Sequence, residues 1–165
     1  MWDKLKKQIR VEWEMLNLLM NRHPALIEKC RTQAPSDVEI DALAAFLHGF
    51  YTGVENIFKR VSVAVDNDPP RGEAWHSSLL NRMACATQGR PAVISEDLRK
   101  SLKGYLDFRH MFRHAYTVEL QWRRMAPLVF QAQSDFHRLE TELRQFLSKI
   151  EAADGGAPLQ GESSS

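Results

Sequence analysis

The sequence predicts an all-α protein, a bundle of four or five helices around one core. Three observations carry this. Seven prolines divide the 165-residue chain into five long proline-free stretches. Within each stretch apolar residues recur every three or four positions, the period of one helix face rather than the two-residue alternation of a strand. No Asn-Gly hairpin, no Val/Thr-rich alternating run and no internal repeat interrupts that pattern.

The first helix is expected over residues 2–22, with Trp2, Leu5, Ile9, Trp13, Leu16 and Met20 on one side. The second opens at Ser36-Asp37-Val38-Glu39, a capping box in which serine and glutamate reciprocally satisfy backbone N–H groups. Its apolar positions Leu43, Phe46, Leu47, Phe50, Val54, Ile57, Phe58 and Val61 keep the helical spacing for about seven turns. Gly49 and Gly53 lie four apart on it. Each glycine costs a helix about 1 kcal/mol against alanine, so the pair marks either close approach of another helix or chain, or tolerated surface positions. Residues 66–72, with Pro69-Pro70, form a loop. A third helix fits residues 74–86 through Trp75, Leu79, Leu80 and Met83, and Gln88-Gly89-Arg90-Pro91 ends it. Ser95 caps a fourth, which opens with Glu96-Asp97, where the helix dipole favours acids. The fifth starts at about Met125 or Leu128 and runs to Glu151, using Phe136, Leu139, Leu143, Phe146, Leu147 and Ile150, with Pro127 read as a first-turn proline. The expected organisation is a single helical domain over residues 1–151 and a disordered tail over 152–165.

Composition narrows the function classes. At 44% hydrophobic and 26% charged the chain can bury a core without disulfides or a structural metal. Its longest apolar run, residues 42–47, falls far short of the roughly 20 residues of a membrane span. Glu12 and Glu14 break up any secretory apolar region. Cys30 and Cys85 have no CxxC or CxxH spacing. A cytoplasmic protein with no membrane association is expected. There is no Gly-rich phosphate loop, HExxH, GxSxG or acidic cluster at metal-binding spacing, so neither a cofactor nor a metal is called for. His23, His48, His76 and His137 read as structural or solvated histidines, and Glu39, Asp41, Glu140 and Glu142 as solvated helix faces.

Residues 99–124 differ. They hold seven basic residues against two acids, a charge of +5 before histidines, so the remainder must sum to −4 within a total of +1. Aromatics (Tyr105, Phe108, Phe112, Tyr116, Trp122) are threaded through them, a reasonable footprint for RNA or another polyphosphate. On one continuous helix, Leu98, Leu102, Tyr105, Phe108, Phe112 and Ala115 form a core-facing arc with Arg109 and Tyr116 at its edge. His110 and His114 share a neighbouring face, with Arg113 between that face and Arg109. A guanidinium, two imidazoles and a phenol are thereby expected on one edge of one helix. Such groups suit metal-free RNA cleavage, in which a ribose 2′-OH attacks the adjacent phosphorus. Histidine can move the protons near neutrality, and arginine can hold the phosphoryl oxygens as negative charge builds. His114 takes the acid/base role in this reading and Arg109 the phosphate.

The run Arg109-His110-Met111-Phe112-Arg113-His114-Ala115-Tyr116 reads R-x4-H-x-Y and resembles the signature of HEPN-domain ribonucleases; with the trailing tyrosine it is similar to the HepT toxins. Phe50-Tyr51-Thr52-Gly53-Val54-Glu55-Asn56-Ile57 resembles that family's second helix, and Trp75-His76-Ser77-Ser78-Leu79-Leu80 its third. The resemblance spans roughly residues 36–150. Ala115 stands where the family often has glycine, and His110 where Asn or Asp is frequent. The resemblance implies a HEPN-type up-and-down bundle and a homodimer in which two Arg/His sets face a shared cleft. It also implies a toxin–antitoxin pair, with a minimal nucleotidyltransferase (MNT, MntA-like) attaching AMP to Tyr116. A second histidine would then come from the other chain's His114 or from His110. Two other readings stand beside this one: a non-catalytic HEPN module that binds nucleotides or a nucleotidyltransferase, and a structural adaptor with Arg109 salt-bridged to Glu55 or Asp107.

Overall fold

Local signals start two of the helices where the sequence places them. Ser36 Oγ accepts from the Glu39 N–H at 3.2 Å while the Glu39 carboxylate accepts from the Ser36 N–H at 3.1 Å. Ser95 Oγ likewise accepts from the Leu98 N–H. The computed structural model describes residues 1–156. It holds α1 (Asp3–Met20), α2 (Pro24–Lys29), α3 (Asp37–Ala64), α4 (Trp75–Met83), α5 (Glu96–His114) and α6 (Trp122–Gly155), with a 3₁₀ turn at Thr117–Glu119. The protein is all-α, 75% helical, without a strand among the described residues.

The central helix is α3, against which α1, α4, α5 and α6 pack. All eight predicted apolar positions from Leu43 to Val61 are buried, because a helix surrounded on most sides has almost no solvent face to spare. On α1, Leu5, Ile9, Leu16 and Met20 are buried, and Trp13 stacks on Phe136 of α6 with ring centroids 4.3 Å apart. The glycine pair marks close approach within the chain. A Cβ at Gly53 would sit 2.5 Å from Leu16 Cδ2, and one at Gly49 3.1 Å from Leu19 Cδ2. Bare backbone on α3 is what lets α1 settle so close.

The connections depart from expectation. The six-residue α2 was not predicted; it contributes only half-buried Leu26 and Ile27. Helix α4 stops at Met83, short of Ala86, because the chain beyond it is gathered around the buried Arg90 guanidinium. That group holds Asp66 through Nε at 2.5 Å and Nη2 at 3.0 Å, and also meets the carbonyls of Cys85, Pro91 and Arg82. Helix α6 begins at Trp122, so Pro127 lies inside it rather than in its first turn. It also continues to Gly155, past the expected end at Glu151; residues 157–165 of the expected tail lie outside the described residues.

Candidate functional site

Helix α5 places the R-x4-H run. Leu98, Leu102, Tyr105 and Phe108 face the core as predicted, joined by Leu106, while Phe112 and Ala115 are only half-buried. Arg109 stands at the edge of that face with its side chain 13% exposed, a position that demands a partner because an unpaired buried guanidinium is costly. The partner is Glu55 of α3, itself 2% exposed: Arg109 Nη1 donates to Glu55 Oε1 at 2.8 Å. Asp107, the other partner considered, pairs with Lys103 instead.

The second oxygen of Glu55 carries the least expected feature. His76, in the first turn of α4, sets Nδ1 2.6 Å from Glu55 Oε2 and 3.3 Å from Arg109 Nη1. A carboxylate paired with arginine only accepts, so Nδ1 carries the hydrogen and donates to Glu55. The ring stacks on Trp75, centroids 3.7 Å apart, and Lys59 lies over the Trp75 ring. His76, read from the sequence as a structural or solvated histidine, thus stands in one cluster with Glu55 and Arg109. Its only sequence signal was membership of the Trp75–Leu80 run; spacing along the chain says nothing about a partner on another helix.

Arg109, His110, Arg113 and His114 line one side of a pocket of about 350 Å³, and Glu73, His76 and Ser77 line the other. His110 and His114 are exposed, their rings 5.0 Å apart and steeply inclined. Exposed Arg113 makes no ion pair among the described residues. Half-buried His48 of α3 packs on Phe112, and burial, then the charges of Arg109 and Arg113, push its pKa below the usual imidazole range. A larger cavity of about 600 Å³ between α1 and α3 holds the Glu12–Arg60 pair and none of the Arg/His set.

The structure does not put Tyr116 on the same helix edge. Helix α5 ends at His114, Ala115 is extended (φ −107°, ψ 153°), and Tyr116 lies in the link to α6, 79% exposed and outside the pocket lining. Residues 99–124 are therefore two elements, with Trp122, Arg123 and Arg124 on α6. Among the described residues no group of three or more His, Cys, Asp or Glu side chains is placed to hold a metal ion, and no helix is long and apolar enough to cross a membrane. The assembled chemistry is a recess with two arginines, one of them paired with Glu55, and three imidazoles on its walls, beside the carboxylates of Glu73 and Asp107.

Comparison with known proteins identifies the family. A family model described as HepT-like protein matches residues 42–150, which hold Glu55, His76, Arg109 and His114. No curated protein and no solved structure matches the chain. The match covers well over half of the sequence and the whole of the pocket, and the chain belongs to the HepT-like family of HEPN-type proteins.

Proposed function

We propose that the protein is a metal-independent endoribonuclease toxin that cleaves RNA through Arg109 and His114. The observation that carries this reading is that both side chains line one pocket, with Arg109 held from behind by Glu55. Arg109 would donate to the phosphoryl oxygens as charge builds on them, and His114 would move a proton at the scissile phosphate. His110 and Arg113, exposed beside them, would hold the flanking RNA. Two copies would bring two such pockets to a shared cleft.

Tyr116 fits a control role. Its exposure leaves the hydroxyl open to another enzyme, and AMP attached there by a cognate nucleotidyltransferase would set a bulky anion within reach of the site's cations. Coexpression with that enzyme should add adenylyl groups to Tyr116 by mass spectrometry; neutralisation of an unmodified protein would refute this part.

Purified protein should cleave RNA in EDTA, and Arg109→Ala or His114→Ala should lower the rate by about 10²-fold or more. Undiminished cleavage by either variant sinks the assignment. The Arg109–Glu55 pair is the one expected of a structural adaptor, and it equally leaves open a HEPN module that binds a nucleotide or a nucleotidyltransferase without cutting. RNA binding without cleavage under the same conditions would select it.

A further inference from the structure

We propose that His76 is the site's second proton-transfer group, the base that deprotonates the ribose 2′-OH, supplied by the same chain as His114 and set in its tautomer by Glu55. The inference rests on the ribonuclease reading and deepens it, because cleavage needs both a base and an acid and the R-x4-H run offers one of the two.

The geometry points to His76 on three counts. It lines the same pocket as the α5 side chains, with Nδ1 3.3 Å from Arg109 Nη1, so a phosphate held by Arg109 would sit beside its ring. Its Nδ1 donates at 2.6 Å to a carboxylate that is itself 2% exposed and anchored by Arg109, which fixes both ring orientation and tautomer. Nδ1–H engaged in this way leaves the Nε2 lone pair of the neutral ring free, and Nε2 has no hydrogen-bond partner among the described residues. A carboxylate holding one imidazole nitrogen so that the other can take a proton is the logic of the Asp–His pair in serine hydrolases. The stack on Trp75 holds the ring from its face. His110, which shares a helix face with His114, has no such anchor among the described residues: no carboxylate holds its ring, which lies 5.0 Å from the His114 ring.

The steps balance. His76 Nε2 takes the 2′-OH proton as the 2′ oxygen bonds to phosphorus. The bond from phosphorus to the 5′ oxygen breaks, and His114 protonates that leaving oxygen. The products are a 2′,3′-cyclic phosphate and a free 5′-OH, and the protonation states of the two histidines are exchanged.

The test uses the full chain, a short RNA, and the same RNA with sulfur in place of the bridging 5′ oxygen. A thiolate leaves without protonation, so that substrate bypasses the acid but not the base. His76→Gln should lower kcat by about 10²- to 10⁴-fold with a smaller change in KM, and equally on both substrates, while the His114→Ala loss should shrink on the sulfur substrate. Added imidazole should restore part of the rate to His76→Ala, which a misfolded or merely loosened pocket would not permit. Full cleavage by His76→Gln, a loss that vanishes on the sulfur substrate, or no rescue by imidazole would overturn this proposal and leave the ribonuclease reading standing. Wild-type protein that cleaves neither substrate would overturn both.

Discussion

His48 is a histidine whose surroundings disfavour its charged form. It is half-buried against Phe112, Nδ1 is buried without a partner, and Arg109 and Arg113 add repulsion to the cost of burying its charge. Its pKa in the folded protein therefore lies below the ordinary value of about 6.5. As pH falls through 6.5 the unfolded chain takes up a proton that the folded chain refuses, so this contribution is intact above 6.5 and is lost as pH falls toward the depressed value. His48→Gln should flatten the acid limb of unfolding free energy against pH, measured by urea titration from pH 7.5 to 5. An unchanged slope would show that His48 is not responsible. At this scale the sequence was uneven. Arg109 was legible, since an arginine at the margin of an apolar arc needs a partner, and Glu55 was among those named. His76 was not, because 21 residues separate it from Glu55 and 33 from Arg109, and only tertiary packing closes those gaps. Asp135 was missed for a similar reason: it lies on the buried face of α6, accepting from the Tyr105 hydroxyl at 2.8 Å, and apolar periodicity is blind to a paired acid.

Between elements, the two glycines of α3 make opposite predictions. Leu16 is buried, and a methyl group at Gly53 would press on its branch carbon as well as its tip, so neither side chain nor helix can yield cheaply. Gly53→Ala should cost about 1–3 kcal/mol despite the gain in helix propensity. Leu19 is only half-buried and meets a Gly49 methyl at its tip, so Gly49→Ala should be neutral or stabilise by up to about 1 kcal/mol. Chemical denaturation of the two variants checks this, and equal destabilisation would contradict it. Helix identity was legible wherever one face is buried throughout, as on α3. Helix ends were legible where a side chain caps them, at Ser36 and Ser95. The end of α5 was not, because residues 115–121 contain neither Gly nor Pro and the helix stops without a local breaker. That omission is what carried Tyr116 onto the wrong element.

At the scale of the whole molecule, α1 lies outside the matched residues 42–150 yet packs as core. Four of its side chains are buried, and Trp13 covers Phe136. Residues 42–150 alone would expose the small-residue face of α3 along with Phe136, a contiguous apolar strip that favours association. Deleting residues 1–35 should lower the melting temperature, raise binding of a hydrophobic dye and promote aggregation, even though every pocket residue remains. A truncated chain that stays monomeric with an unaltered melting temperature would mean α1 is an appendage. The charge imbalance read from residues 99–124 also takes physical form here, split between α5 and the start of α6 rather than laid along one helix.

Glu55 also divides labour among the arginines. A guanidinium already neutralised by a carboxylate displaces few of the cations condensed on a polyanion, whereas exposed cations without ion pairs displace about one each. Lys100, Arg113, Arg123 and Arg124 are of the second kind among the described residues. On the ribonuclease reading proposed above, the ionic-strength dependence of RNA association would therefore belong to them, while Arg109 would contribute direction, aiming at one phosphate without adding to the long-range pull that brings the strand in.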